Sequence, residues 1–431
     1  MSRITISLAL VLILAAPAQA GTIEFRKGAT ADSANFYVFT AAPGERNDIV
    51  VEEVPGGFRL RDAASPPAGC VPDGPDAVRC ARATREISLT IDAGDGDDRV
   101  TADGSVGSIL GGPGDDQLSL TGPDFASLAG GDGDDVLQGG PGDDTLDGGP
   151  GADSVSGGDG RDMLDAGRDG PVPGPDRLDG GAGRDTVSYL ARTRPIRVDL
   201  QLPGEAGEPG ERDVLSAIEI VVGGAGADDL RGDGGDNELR SGDGSRGDRL
   251  DGRGGDDLVF GDSGDDMLVG GPGDDSLGGE SGRDRYAGGT GDDRIFVEFA
   301  REATVGCGSG TDRIFVGQRN GARLDADCER VQGVGPLIGV RRDAGGHLRG
   351  LDLRWNEREY RTPCRVRVTF SDGRRALGRV DLRAVSQRRT RIARLARHVP
   401  GGMVRVTLRA SDRCAGRFGR GYTPTAFQVA S

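Results

Sequence analysis
Residues 139–147 read Gly139-Gly140-Pro141-Gly142-Asp143-Asp144-Thr145-Leu146-Asp147, and the pattern returns every nine residues. Copies begin at Gly130, Gly139, Gly148 and Gly157, then at Gly252, Gly261, Gly270, Gly279 and Gly288. Each is a glycine-rich turn with Asp in sixth place and an apolar residue in eighth. A fixed short period marks a repeat architecture, in which one unit buries its apolar side chain only by stacking on its neighbours. With 77 Gly in 431 residues and only 4% aromatics, composition alone points to disorder. The period decides against it, because a disordered chain needs no register.

Working outward, the sequence divides by pattern. A first repeat block covers 92–188, with degenerate turns near Asp103 and Asp124 and a Gly/Pro insertion after Asp169. An insertion at 189–222 interrupts the period. It carries the strand-like runs Ile196-Arg197-Val198-Asp199-Leu200 and Ile218-Glu219-Ile220-Val221-Val222, with an acidic, glycine-rich loop at 204–212 between them. A second block covers 223–316, and its last unit opens with Cys307 in place of Gly. Residues 317–335 read as a cap tethered to that unit through Cys328.

The flanks differ in kind. Residues 21–91 carry aromatic and β-branched runs at 35–39, 48–52 and 87–91, the signature of a small N-terminal β cap that covers the exposed end of the stack. Residues 336–431 alternate polar and apolar, as in Arg365-Val366-Arg367-Val368-Thr369-Phe370, and predict a C-terminal β domain. Between 341 and 420 there are 22 Arg against 7 Asp and Glu, in a chain whose net charge is −17. The expected surface there is basic.

Residues 1–20 form a signal peptide by pattern: Arg3, an apolar run over 4–16, and Ala18-Gln19-Ala20 as the cleavage site. That run is too short to span a bilayer, and no other stretch is long enough. Six cysteines agree with an exported protein. Proximity pairs them as Cys70–Cys80, Cys307–Cys328 and Cys364–Cys414, and none has C-x-x-C spacing.

The chemistry of the repeat follows from its residue types. Glycines in places one, two and four permit backbone angles that a Cβ resists, so carbonyls can turn toward one point. The sixth-place Asp adds a hard anionic oxygen. Carbonyl and carboxylate oxygens together suit Ca²⁺, whereas zinc would call for His or Cys. In eighth place stand Val100, Leu118, Leu146, Val155, Leu164, Leu268, Leu277 and Ile295, with Tyr286 the aromatic exception. One buried Leu contributes about 1.5–3 kcal/mol, less than the ordering cost of a six-residue turn at about 1–2 kcal/mol per residue. Stacking and cation binding are therefore expected to be coupled.

The segment from Asp92 to Phe315 resembles the RTX, or hemolysin-type, calcium-binding repeat family of secreted bacterial proteins. The resemblance implies an all-β fold, a parallel β-roll flanked here by small β domains, with two units to a turn and multiple Ca²⁺ ions between turns. By position it implies metal ligands at Asp98, Asp116, Asp135, Asp144, Asp153, Asp162, Asp185, Asp228, Asp257, Asp266, Asp275, Asp284, Asp293 and Asp312. Asn237 stands in that place in its own unit, and insertions precede Asp176 and Asp248. The break from Asp185 to Gly226 also resembles one found in secreted members.

Catalysis is not expected. Gly261-Asp262-Ser263-Gly264-Asp265 is similar to a serine-protease nucleophile motif, but Ser263 falls in the variable third place of a repeat. The two histidines, His347 and His398, lie far from it in the basic segment, and no H-E-x-x-H or complete G-x-S-x-G occurs. The expectation is a secreted, extracellular, non-enzymatic calcium-binding protein. Two alternatives stand beside it. One is a calcium-stiffened adhesin whose basic domain binds acidic glycans or an anionic cell surface. The other is the accessory repeat region of a hydrolase. Export makes nucleic acid an unsuitable partner.

Overall fold
The computed structural model describes residues 21–26, 36–81 with short breaks, 88–167 apart from 104–105, 174–297, 303–316, most of 322–333 and the strands between 337 and 430; side chains are described between 37 and 328. The expected signal peptide, the insertion at 168–173, Cys414 and both histidines lie outside the described residues. No helix occurs among those described, so none is long and apolar enough to cross a membrane.

The nine-residue period becomes a two-faced solenoid. Strand Ser127–Asp132 pairs in parallel with Thr145–Asp147, and that strand with Met163–Asp165, so Leu128, Leu146 and Leu164 stand in register. The intervening unit is on the opposite face, where Leu137 pairs with Val155. Successive units thus alternate between faces, and two units close one turn. The chain forms a parallel β-roll of about 11 turns. Its core is two columns of eighth-place side chains facing each other, buried from Val100 and Ile109 to Val305 and Ile314. A short strand suffices, because each apolar residue needs only the same residue of the turns before and after.

The first face is unbroken. It runs in parallel from Phe36–Thr40 and Ser88–Asp92 to Arg313–Val316 and Arg330–Gly333. At the interruption, Thr186–Ser188 pairs directly with Ile220–Val222. The second face is made in two pieces. One sheet runs from Asp48–Val54 to Val214–Ser216, and another from Arg197–Asp199 to Arg323–Leu324. Residues 189–222 supply both ends. They carry Arg197–Asp199, which opens the later sheet, and Val214–Ser216, which closes the earlier one. Antiparallel bridges Arg197↔Gly207 and Ala206↔Asp213 link them.

Antiparallel strands extend the roll at each end. Gly57–Arg61, Ala77–Ala81 and Cys70–Pro72 follow Asp48–Val54 in that order, and a disulfide joins Cys70 to Cys80 across the last pair. At the other end Leu337–Arg342 adds antiparallel to Arg330–Gly333, while Thr425–Ala430 pairs in parallel with Arg323–Leu324 and antiparallel with Met403–Ala410. Cys307 bonds Cys328, as proximity suggested. The Phe296 and Phe315 rings stack outside the last turns, 4.7 Å between centroids.

Candidate metal centre
The sixth-place acids form ladders along both edges of the roll. Each uses Oδ1 to accept a hydrogen bond from the backbone N–H of the corresponding residue one turn earlier. Asp116 Oδ1 accepts from Asp98 N at 2.8 Å, Asp135 from Asp116 at 2.7 Å and Asp153 from Asp135 at 2.8 Å. On the other edge Asp162 accepts from Asp144 and Asp185 from Asp162, both at 2.8 Å. The pattern repeats in the second block, through Asp257, Asp275 and Asp293 on one edge and Asp248, Asp266 and Asp284 on the other. Asp312 accepts from Asp293 at 3.0 Å. All fourteen predicted Asp are buried.

This bond uses only half of each carboxylate. The second oxygen, Oδ2, is buried without a hydrogen-bond partner at Asp98, Asp116, Asp135, Asp144, Asp153, Asp162, Asp185, Asp248, Asp257, Asp266, Asp275 and Asp293. An orphaned buried carboxylate oxygen is strongly unfavourable unless a cation meets it. It faces a cradle made by glycine. A Cβ placed on Gly139 would lie 2.9 Å from Asp144 Oδ2 and 2.5 Å from the carbonyl oxygen of Gly157, the same place one turn on. The first-place glycine thus keeps open a space bordered by a carboxylate and a carbonyl of successive turns. Gly131, in second place, has φ +119°, and Gly133, in fourth, +142°, angles that side chains resist. An added Cβ at either would overlap a carbonyl of the turn before.

The electrostatics suit a cation-binding column. Burial raises Asp116, Asp153, Asp257, Asp266 and Asp293 to about 7, and Asp135, Asp162, Asp248 and Asp275 to about 6. The ladder's backbone hydrogen bonds oppose the shift, and neighbouring carboxylates generally add to it. Hard oxygens, turned carbonyls and orphaned anionic oxygens without nitrogen or sulfur are the donor set of Ca²⁺.

The family of calcium-binding repeats described as "RTX calcium-binding nonapeptide repeat (4 copies)" matches residues 129–164, 173–189, 216–246, 244–277 and 278–297. These are RTX repeats. They are a structural calcium-binding element, not a catalytic one. A search of curated proteins finds no match to the chain.

Several rungs of the RTX ladder escaped the sequence reading. Asp176 and Asp248 take part despite the insertions before them, accepting from Asp153 and Asp228. Asp213 accepts from Asp176, Glu219 from Asp185 and Asp98 from Asn47. The signal was a polar residue two places before an apolar one (Asn47 before Ile49, Asp213 before Leu215, Glu219 before Val221), without the glycines that mark the regular units. Ser263 only accepts a hydrogen bond from the Ser281 hydroxyl at 3.1 Å, and no histidine is among the described residues. Cys307, Cys328 and Asp327 come together, but both sulfurs are in the disulfide and Asp327 accepts from the N–H groups of Cys307 and Gly308.

Proposed function
We propose that the protein is a secreted, non-enzymatic calcium-binding protein whose roll is completed by extracellular Ca²⁺. The carrying observation is the column of buried, unpartnered Asp Oδ2 atoms along both edges of the stack. The twelve acids with such an atom, together with Asp312, would hold calcium against glycine carbonyls of the adjacent turn. Bound Ca²⁺ would neutralise the column and tie each turn to the next. The chain's own contribution is the Oδ1 ladder, which aims Oδ2, and the first-place glycines, which leave room beside it. Without the cation the acids repel one another and lack solvent, so the metal-free repeats are expected to be largely unfolded. Extracellular calcium modules bind at about 10⁻⁴–10⁻³ M, which would hold the chain open before export and close it afterwards. Circular dichroism in EDTA, then in millimolar Ca²⁺, should show β structure appearing, with calcium binding visible by calorimetry. An unchanged spectrum without binding heat would overturn the reading.

A second reading is favoured by the basic C-terminal strands. Leu337–Arg342 and Leu348–Arg354 extend the first face, and Thr425–Ala430 pairs with the strand that ends the second. A basic surface carried on a calcium-stiffened roll suits acidic glycans or an anionic cell surface. Salt-sensitive retention on acidic polysaccharide, lost on changing Arg388, Arg389 and Arg391 to Ala, would support it. Equal retention would remove it.

A further inference from the structure
The unpartnered oxygens are not distributed along the whole roll. On the edge leading to the second face, the ladder through Asp98, Asp116, Asp135 and Asp153 has them, and they resume at Asp248. Between these come Asp176, Asp213 and Asp228, none of which has a buried oxygen without a partner. On the other edge the gap falls at Glu219 and Asn237. The two gaps lie side by side, at the place where the second face changes from one sheet to the other.

Protein groups fill the gap. Asp213 Oδ2 accepts from the Tyr189 hydroxyl at 3.2 Å, and Asp228 Oδ2 from Gly224 N at 2.9 Å. Asn237 carries no charge, and its Oδ1 accepts from Asp233 N at 2.8 Å. The largest substitution is Arg192, a guanidinium 1% exposed. Its Nη2 donates to Glu211 Oε1 at 2.5 Å and to the Ala166 carbonyl at 2.6 Å, and its Nη1 lies 3.7 Å from Glu208 Oε1. From the acidic loop over 204–212, Glu208 and Glu211 turn inward, Glu211 onto this cation and Glu208 between it and Arg194, whose Nη2 lies 2.7 Å from Glu208 Oε2. Gly207, at φ +93°, permits the approach: a Cβ there would lie 2.8 Å from Asp213 Oδ2. A fully buried arginine is stable only where carboxylates and hydrogen bonds compensate it. Here two glutamates and a carbonyl offset its charge beside the aspartate ladder, while its Nε and Nη1 make no hydrogen bond.

We propose that the centre of the roll takes no calcium, because Arg192 and its neighbouring donors supply there the positive charge and hydrogen bonds that Ca²⁺ supplies on either side. This centre is a seed. It assembles at lower calcium than the flanking blocks and offers each of them a finished turn on which to stack. Nucleating a repeat array is the costly step, and a preformed interface removes it. The inference rests on calcium binding by the flanks, so its test must separate the two.

The test is hydrogen–deuterium exchange of the full chain across a calcium titration, read by mass spectrometry on peptides containing Val221 and Leu239 in the centre, Leu146 in the first block and Leu277 in the second. The central peptides should gain protection at free calcium at least fivefold lower than the flanking ones. Arg192→Met should abolish that lead, and Arg192→Lys, which keeps the charge should removal of a buried cation prevent folding, should retain part of it. Simultaneous protection of all peptides, or a lead that survives in Arg192→Met, would overturn the seed. No response to calcium in any peptide would instead overturn the calcium reading itself.

Discussion

The Tyr286 hydroxyl lies 3.2 Å from Asp284 Oδ2, the oxygen that twelve other rungs leave bare. Tyr286 is also the residue that stands where other units carry Leu, Ile or Val, and its hydroxyl is held by the Gly279 carbonyl at 2.9 Å. One phenol therefore serves as core and as partner to the ladder. Tyr286→Leu should free Asp284 and raise the saturating stoichiometry by one Ca²⁺ per chain, measured by equilibrium dialysis with metal analysis. An unchanged count would show that Asp284 already holds calcium beside the hydroxyl.

Asp116 separates the two uses of a rung. In Asp116→Asn the side chain still accepts from Asp98 N, now 2.8 Å away, but the charge and the free oxygen are gone. Urea unfolding in saturating calcium should show a loss of about 1.5–3 kcal/mol, the value of an interaction with a charged group. In EDTA, where the repeats are largely unfolded, the same change should leave the residual β structure seen by circular dichroism unchanged or raised, since it removes a buried, uncompensated charge. Losses in both conditions would mean that the carboxylate is needed for the ladder alone.

The raised carboxylates fix the sign of the pH response. Asp153 moves from its ordinary 3.8 to about 7 when buried without metal. An acid raised on folding favours the folded state while protonated. That contribution is complete below pH 3.8 and is lost as pH rises through about 7. In EDTA, β structure seen by circular dichroism should therefore increase as pH falls from about 8 to about 5. Calcium affinity should fall over the same interval, because protons compete for the same oxygens. A metal-free signal flat across this range would argue against burial of the acids.

The Cys307–Cys328 bond closes a loop of 21 residues at the end of the second block. Restricting a loop of that size in the unfolded chain is worth about 3 kcal/mol. Cys307→Ser with Cys328→Ser should lower stability in calcium by about that amount, measured by urea unfolding. Exchange should rise most in the Arg313–Val316 and Arg323–Leu324 strands and fade toward the centre. A uniform effect along the roll would show that the bond acts on the whole stack.

The sequence disclosed the roll where glycine and aspartate recur together. Asp144 and Leu146 define their turn without help from any distant residue, because every constraint on them is local or repeated one turn away. Arg192 was not legible in this way. Its partners Glu208 and Glu211 lie in an acidic, glycine-rich loop outside the repeat, and only the fold shows that these two side chains turn inward. Asp176 and Asp248 fall between these cases. Leu178 and Leu250 follow them by two places, as in a regular unit, but the insertions before them obscure the register that makes them rungs.

The alternation of units between faces has a consequence for length. Parallel strands lie about 4.8 Å apart, so each turn adds one fixed step to the axis. Gain or loss of two units would change the separation of the two ends by that step and leave both faces intact. Gain or loss of one would exchange the faces for everything beyond it, setting the second-face seam and the closing disulfide on the wrong sides. The protein is in this sense a ruler with even graduations, which can be lengthened or shortened only in pairs.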